Sequence, residues 1–247
     1  MLYNSLPCKN FLFIHIPRTA GSSVEIKLGS GGESIKDDFM GLANYNRLNL
    51  VAIYPDDSGL KSPNHKRLDY YNNKFNIDDY YKFTIVRNPW DKLLSAFTFM
   101  NKTRKFKWGS NWEEKDFRDN FNTWVKVVSD VKMFTDSDGN LTHNSIDDRN
   151  SIFYGARKQH PYLWCKDQYK YLTIDGEMKM DYICRFENLE EDISNVYDEL
   201  DIADKTLPWI NKTAHPYYTE VYNDDIRKLV TKMCAKDIEY FGYKFGD

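Results

Sequence analysis

Two short segments combine cations and hydroxyls in a way that suits chemistry on an anion. The first, Phe13 to Ser23, reads FIHIPRTAGSS and passes from an apolar run into a loop with one arginine, one glycine and three hydroxyl residues. A helical pattern follows. Backbone N–H groups at the helix start and the hydroxyls of Thr19, Ser22 and Ser23 therefore offer neutral donors to a tetrahedral anion. Arg18 adds a charge-assisted donor, worth roughly 1.5–3 kcal/mol net per hydrogen bond. A triphosphate loop would carry lysine and then serine or threonine directly after its last glycine. Here Gly21 is followed by Ser22, and the cation stands ahead of the glycine at Arg18. The second segment, FTIVRNPWDKLLSAF, puts Arg87 at the end of an apolar run and Ser95 about two turns into the next helix. Each has a plain structural alternative: a capped helix start with a surface arginine, or Arg87 paired to Asp91 with Ser95 a small packing residue. Together, two anion-competent strand ends imply a ligand with two separated acidic groups.

The elements that must hold these residues are legible in outline. Residues 10–16 read as a continuous apolar strand, followed after the loop by a helix over about 22–28 that GSGG at 29–32 terminates. A short strand is expected at 50–54, and YYKFTIV forms a second buried strand ending near Arg87. Asn88 suits a helix N-cap and Pro89 the first helical position, while Trp90, Leu93, Leu94 and Phe97 share one apolar stripe. Further helices are expected over 112–131, 188–200 and 223–241, a polar loop over 135–145, and a third core strand in MDYICRF. Strands alternating with helices predict an α/β fold with a mostly parallel central sheet flanked by helices. Ligands of such sheets gather at the carboxyl ends of the strands, where both arginines fall.

Composition narrows the class. A chain of 247 residues with 41% hydrophobic residues suits a single domain over 1–247. A formal net charge of −3 gives no general attraction to nucleic acid or a membrane surface, so neither is expected as a partner. No apolar run reaches membrane-spanning length, and the first ten residues do not read as a secretory signal. Cys8, Cys165, Cys184 and Cys234 are scattered and form no CxxC pair. That spacing predicts neither a metal site nor a disulfide framework and suits reduced thiols in a cytoplasm.

The paired segments resemble the nucleotide-binding motifs of sulfotransferases, in the order and rough spacing of the carbohydrate-type enzymes and their bacterial relatives. FIHIPRTAGSS is similar to the 5′-phosphosulfate motif, with Arg18 where the family usually carries lysine. FTIVRNPWDKLLSAF is similar to the 3′-phosphate motif, with Arg87 and Ser95 at the matching places. Further likeness in DYICRFENLEEDI and in LPWINKTAHPYYTEVY extends the resemblance over most of the chain. It implies a P-loop-like sulfotransferase fold that uses 3′-phosphoadenosine 5′-phosphosulfate (PAPS), leaves 3′-phosphoadenosine 5′-phosphate, needs no metal, and sulfates a hydroxyl on a carbohydrate. Arg18, Thr19, Ala20, Gly21, Ser22 and Ser23 would hold the phosphosulfate, Arg87 and Ser95 the 3′-phosphate, and Lys212 and Thr213 would close on the nucleotide. Arg18 would stabilise the leaving phosphate as a planar, charged fork. Of the five histidines, His65 falls between the two motifs, where relatives place a catalytic base; His15 reads as a packed strand-end residue, and His143, His160 and His215 as loop or turn residues. Two other readings stay open: a P-loop kinase or NTPase, for which a GK[ST] step is missing, and a nucleotide-binding protein of the same fold without turnover.

Overall fold

The computed structural model describes residues 2–4, 10–28, 51–53, 66–102, 117–130, 133–135, 141–143, 167–210, 212 and 214–247. The chain forms two compact units, one from Met1–Arg87 and Gln168–Asn211, the other from Asn88–Asp167 and Lys212–Asp247.

The first unit is built on a five-stranded sheet. Its strands are β1 (Leu2–Asn4), β2 (Phe11–Ile14), β3 (Val51–Ile53), β4 (Tyr81–Val86) and β9 (Tyr182–Arg185), in the order β3-β1-β2-β4-β9; outside this sheet β5 (Met133–Thr135) pairs with β6 (Leu141–His143), and β7 (Thr173–Ile174) with β8 (Glu177–Met178). β2, β4 and β9 are mutually parallel, whereas β1 runs antiparallel to both β2 and β3. β3 therefore runs in the same direction as β2, and the mostly parallel sheet expected from the sequence is present. All residues of β2 are buried. A parallel strand covered on both faces has no polar side to show, which is why these residues read as an unbroken apolar run. Phe11, Phe13, Phe83, Ile85 and Cys184 pack with Val24 and Leu28, and with Leu189, Ile193, Val196 and Tyr197 of α5 (Leu189–Glu199). Phe13 and Phe83 bring their rings within 4.9 Å at the centre of this cluster.

Two shorter helices complete the frame around the strand ends. α1 (Gly21–Lys27) follows the arginine-bearing loop, and α2 (Leu68–Lys74) precedes β4. Lys27, at the end of α1, is buried and reaches Asp204 at 2.5 Å and the Thr206 hydroxyl at 3.3 Å. The Ile210 N–H donates to Ser23 Oγ at 3.3 Å. Residues 204–210 are thus tied to both ends of α1.

The second unit is largely helical. α3 (Pro89–Lys102) packs against α4 (Phe117–Asp130), α6 (Tyr218–Val221) and α7 (Asp224–Met233), and α8 (Ala235–Phe241) follows. Phe97, Phe121 and Trp124 form an aromatic cluster between α3 and α4. Asn88 caps α3 as expected: its Oδ1 accepts from the Trp90 N–H at 3.1 Å, and Pro89 occupies the first helical position. Its Nδ2 donates to the Lys244 carbonyl at 3.1 Å and lies 3.3 Å from the Tyr218 hydroxyl.

Several expectations are corrected. β1 had no signal because its three residues lack a period long enough to read. The helix expected over 223–241 is two helices that meet at Cys234, and α6 precedes them. Leu141–His143 pairs with Met133–Thr135 as a small antiparallel ribbon, where a polar loop was expected. The GSGG terminator and His160 lie outside the described residues. Asn88→Ala removes a cap and a tie to the C-terminal segment, so unfolding in urea should show a loss of about 1–2 kcal/mol with the slope unchanged.

Candidate functional site

β2 delivers the chain into a buried turn made by His15, Ile16 and Pro17, after which the backbone leaves the common conformations. Arg18 and Ala20 both have positive φ, 67° and 69°, although each carries a Cβ. Such residues persist only where their surroundings hold them, and they concentrate at binding sites. A left-handed residue alternating with ordinary ones turns successive N–H groups toward one side, the geometry of an anion nest. The Thr19 hydroxyl donates to the Ile16 carbonyl at 2.9 Å and shapes the loop from inside. The Ala20 carbonyl accepts from the Ser23 and Val24 N–H groups at 2.9 and 3.4 Å, which starts α1. Ser23 is buried and its Oγ accepts from Ile210, leaving its own proton able to donate. Arg18, Ala20 and Ser22 are half-buried, so Arg18 and Ser22 are the polar side chains of this loop that retain access to solvent.

β4 delivers the second arginine. Arg87 is 7% exposed, and its position is set from three sides. The Gln168 side chain accepts from the Arg87 N–H at 2.9 Å and donates to the Arg87 carbonyl at 2.7 Å, replacing a neighbouring strand. The Phe186 ring lies 3.9 Å from the guanidinium carbon. Arg87 Nη1 donates to the Arg18 carbonyl at 3.2 Å, so the two motifs meet directly within this unit. Burial, and then the like charge of Arg87, pushes the Arg18 guanidinium down to about 9. It remains charged at neutral pH, and two neighbouring cations in a largely buried setting favour an anion between or beside them.

The other expected site residues are distributed as follows. Ser95 lies in the second turn of α3 and is buried; Lys212 is exposed. His65 and Thr213 lie outside the described residues. His15 is buried, as a packed strand-end residue should be, with its Nδ1 2.7 Å from Glu25 Oε1. His215 is half-buried, its Nδ1 2.9 Å from the Pro216 carbonyl oxygen. Gln168, Phe186 and Glu25 were not singled out from sequence. Gln168 and Phe186 reach Arg87 from across the chain, and no local pattern marks them. A cavity of about 550 Å³ lies at the opposite, amino-terminal ends of β4 and β9, beside Ile77, Lys82, Met178 and Asp181. Its Lys82 is engaged by Asp181 and by the carbonyls of Ile77 and Tyr80.

A family model described as the sulfotransferase family matches residues 7–244. The chain belongs to the sulfotransferase family. No curated protein and no solved structure matches it. Membership means a transferase that moves a sulfuryl group to an acceptor substrate, and the matched span takes in both arginine motifs. Among the described residues of this sulfotransferase, no helix is long and apolar enough to cross a membrane. Asp167, Cys234 and Asp237 bring potential ligand atoms within 4.8 Å of one another, a grouping that their sequence spacing concealed.

Gln168→Ala would leave a buried N–H and a buried carbonyl of Arg87 without their partner. Equilibrium unfolding should show a loss of about 2–4 kcal/mol. Gln168→Glu keeps the acceptor and loses the donor, and should fall between the two.

Proposed function

We propose that the chain is a PAPS-dependent sulfotransferase that sulfates a hydroxyl on a carbohydrate acceptor, working as a single domain over 1–247 in the cytoplasm. The observation that carries this reading is the meeting of Arg18 and Arg87 at the carboxyl ends of two adjacent parallel strands. A strained N–H nest with one guanidinium suits a phosphosulfate, and a second guanidinium suits a separate phosphate. The donor set thus fits the two acidic ends of PAPS. The buried free thiol of Cys184 accords with a reducing compartment.

Bound PAPS would supply the sulfuryl group, already activated by its phosphate leaving group. The residues of this chain do the rest. Backbone N–H groups over 18–22, with the hydroxyls of Ser22 and Ser23, hold the phosphosulfate. Thr19 keeps the loop in shape, and Ala20 and Gly21 contribute main-chain donors. Arg18 neutralises the charge that develops on the phosphate oxygen as it departs. Arg87 and Ser95 bind the 3′-phosphate by the motif match, and Lys212 and Thr213 close on the nucleotide. His65 accepts the proton of the attacking hydroxyl, a task suited to an imidazole at neutral pH. Side-chain cations carry the leaving-group charge in this scheme, and no metal is called for.

Arg87→Ala should weaken binding of 3′-phosphoadenosine 5′-phosphate by about 3 kcal/mol, roughly two orders of magnitude in Kd by calorimetry. Unchanged affinity would remove Arg87 from the site. His65→Ala should keep nucleotide affinity within about threefold and lower kcat by roughly 10²–10⁴. Normal turnover would move the base to another residue. The ligand binds the protonated form of Arg18, so nucleotide affinity should hold steady through neutral pH. It should decline as pH rises above about 9, where the free protein loses that charge.

A further inference from the structure

Glycine in an anion loop is ordinarily explained by the ligand, whose oxygens need close access to the backbone. Gly21 has a nearer neighbour on the protein side. A Cβ at position 21 would lie 2.0 Å from His15 Cδ2, 2.3 Å from Nε2 and 2.7 Å from Cγ. No real Cβ sits at such distances, so an edge of the imidazole fills the space that a side chain would need.

The ring cannot readily step aside. His15 is 7% exposed and Glu25 1% exposed, and Nδ1 is 2.7 Å from Glu25 Oε1. The imidazole also stacks on Phe13, with ring centroids 6.0 Å apart and planes 23° from parallel. Tyr71, buried on α2, faces the same carboxylate: its hydroxyl is pushed well up by burial and then by the charge of Glu25. His15 follows the last residue of β2, and Glu25 lies one turn into α1. Their contact closes the ends of the 16–24 segment, which contains the two left-handed residues Arg18 and Ala20. A loop that stores strain must be held by something outside itself. The His15–Glu25 contact bridges it from strand to helix, and the ring supports it from beneath at Gly21.

We propose that His15 and Glu25 are positioning residues for the donor-binding loop, and that position 21 must be glycine because the His15 ring occupies the space of its side chain. The proposal rests on the phosphosulfate reading of that loop. Neither residue is assigned contact with the reacting atoms. They act through Arg18 and the loop N–H groups, so their loss should show first in the affinity for the nucleotide.

The test is a double-mutant cycle read by calorimetry with 3′-phosphoadenosine 5′-phosphate, and by steady-state kinetics with PAPS. Gly21→Ala should weaken nucleotide binding at least tenfold in the wild-type background and less than threefold in a His15→Ala background, where the ring is gone. Glu25→Ala should weaken binding tenfold or more and raise KM for PAPS by a larger factor than it lowers kcat. Glu25→Gln, which can still accept from Nδ1, should restore affinity to within threefold, a rescue that loss of general stability would not predict. An equal cost for Gly21→Ala in both backgrounds, or wild-type affinity in Glu25→Ala, would overturn the proposal. If Glu25→Ala does not fold, the position 21 cycle decides alone. Wild-type protein that fails to bind the nucleotide would overturn the donor reading itself and this proposal with it. Binding by the wild type that Glu25→Ala leaves unaffected would overturn only the positioning role.

Discussion

Phe13 stands opposite Phe83, and Ile14 opposite Thr84, in the parallel pairing of β2 with β4. The Thr84 hydroxyl donates to the Ile14 carbonyl at 2.8 Å and pins that register at the carboxyl end of the pair. The meeting of the two arginine-bearing segments depends on this alignment. In a parallel pair both strands end on the same edge, so the loop after β2 and the residue after β4 emerge together. A shift by one residue would turn Phe83 and Ile85 away from the cluster they share with Phe11, Phe13 and α5, and carry Arg87 away from the Arg18 carbonyl. The apolar packing that selects the register therefore also selects the distance between the two guanidinium groups.

Three of the contacts that position Arg87 carry no formal charge. Gln168 bonds the main chain of Arg87, Phe186 offers its ring face, and the Arg18 carbonyl accepts from Nη1. Each helps fix the residue in place. The first loop follows the same logic. Thr19 and the His15–Glu25 contact maintain a left-handed backbone whose own propensity is unfavourable.

Local features were readable wherever the responsible physics is local. The buried strands announced themselves by unbroken apolar runs, and α3 by Asn88, Pro89 and an apolar stripe at helical spacing. The same reasoning lost β1, too short for a period, and placed a loop where Leu141–His143 forms a strand. Gln168 carried no signal because its task, bonding both backbone groups of a residue 81 positions away, leaves no trace in its neighbours. Gly21 was legible as a special position, although the pressure on it from His15 was not.

From sequence alone came the residue types that can bind two acidic groups, their order along the chain, and the alternation of strands and helices that puts such residues at strand ends. These rest on side-chain chemistry and on periodicities set by the backbone, both of which survive without knowledge of distant contacts. Tertiary structure decided that Arg18 and Arg87 touch, that the Thr19 hydroxyl bonds the Ile16 carbonyl and Ser23 Oγ the Ile210 N–H, and that an imidazole underlies the glycine. Those outcomes follow from strand register and close packing, which bring together residues that no local pattern relates.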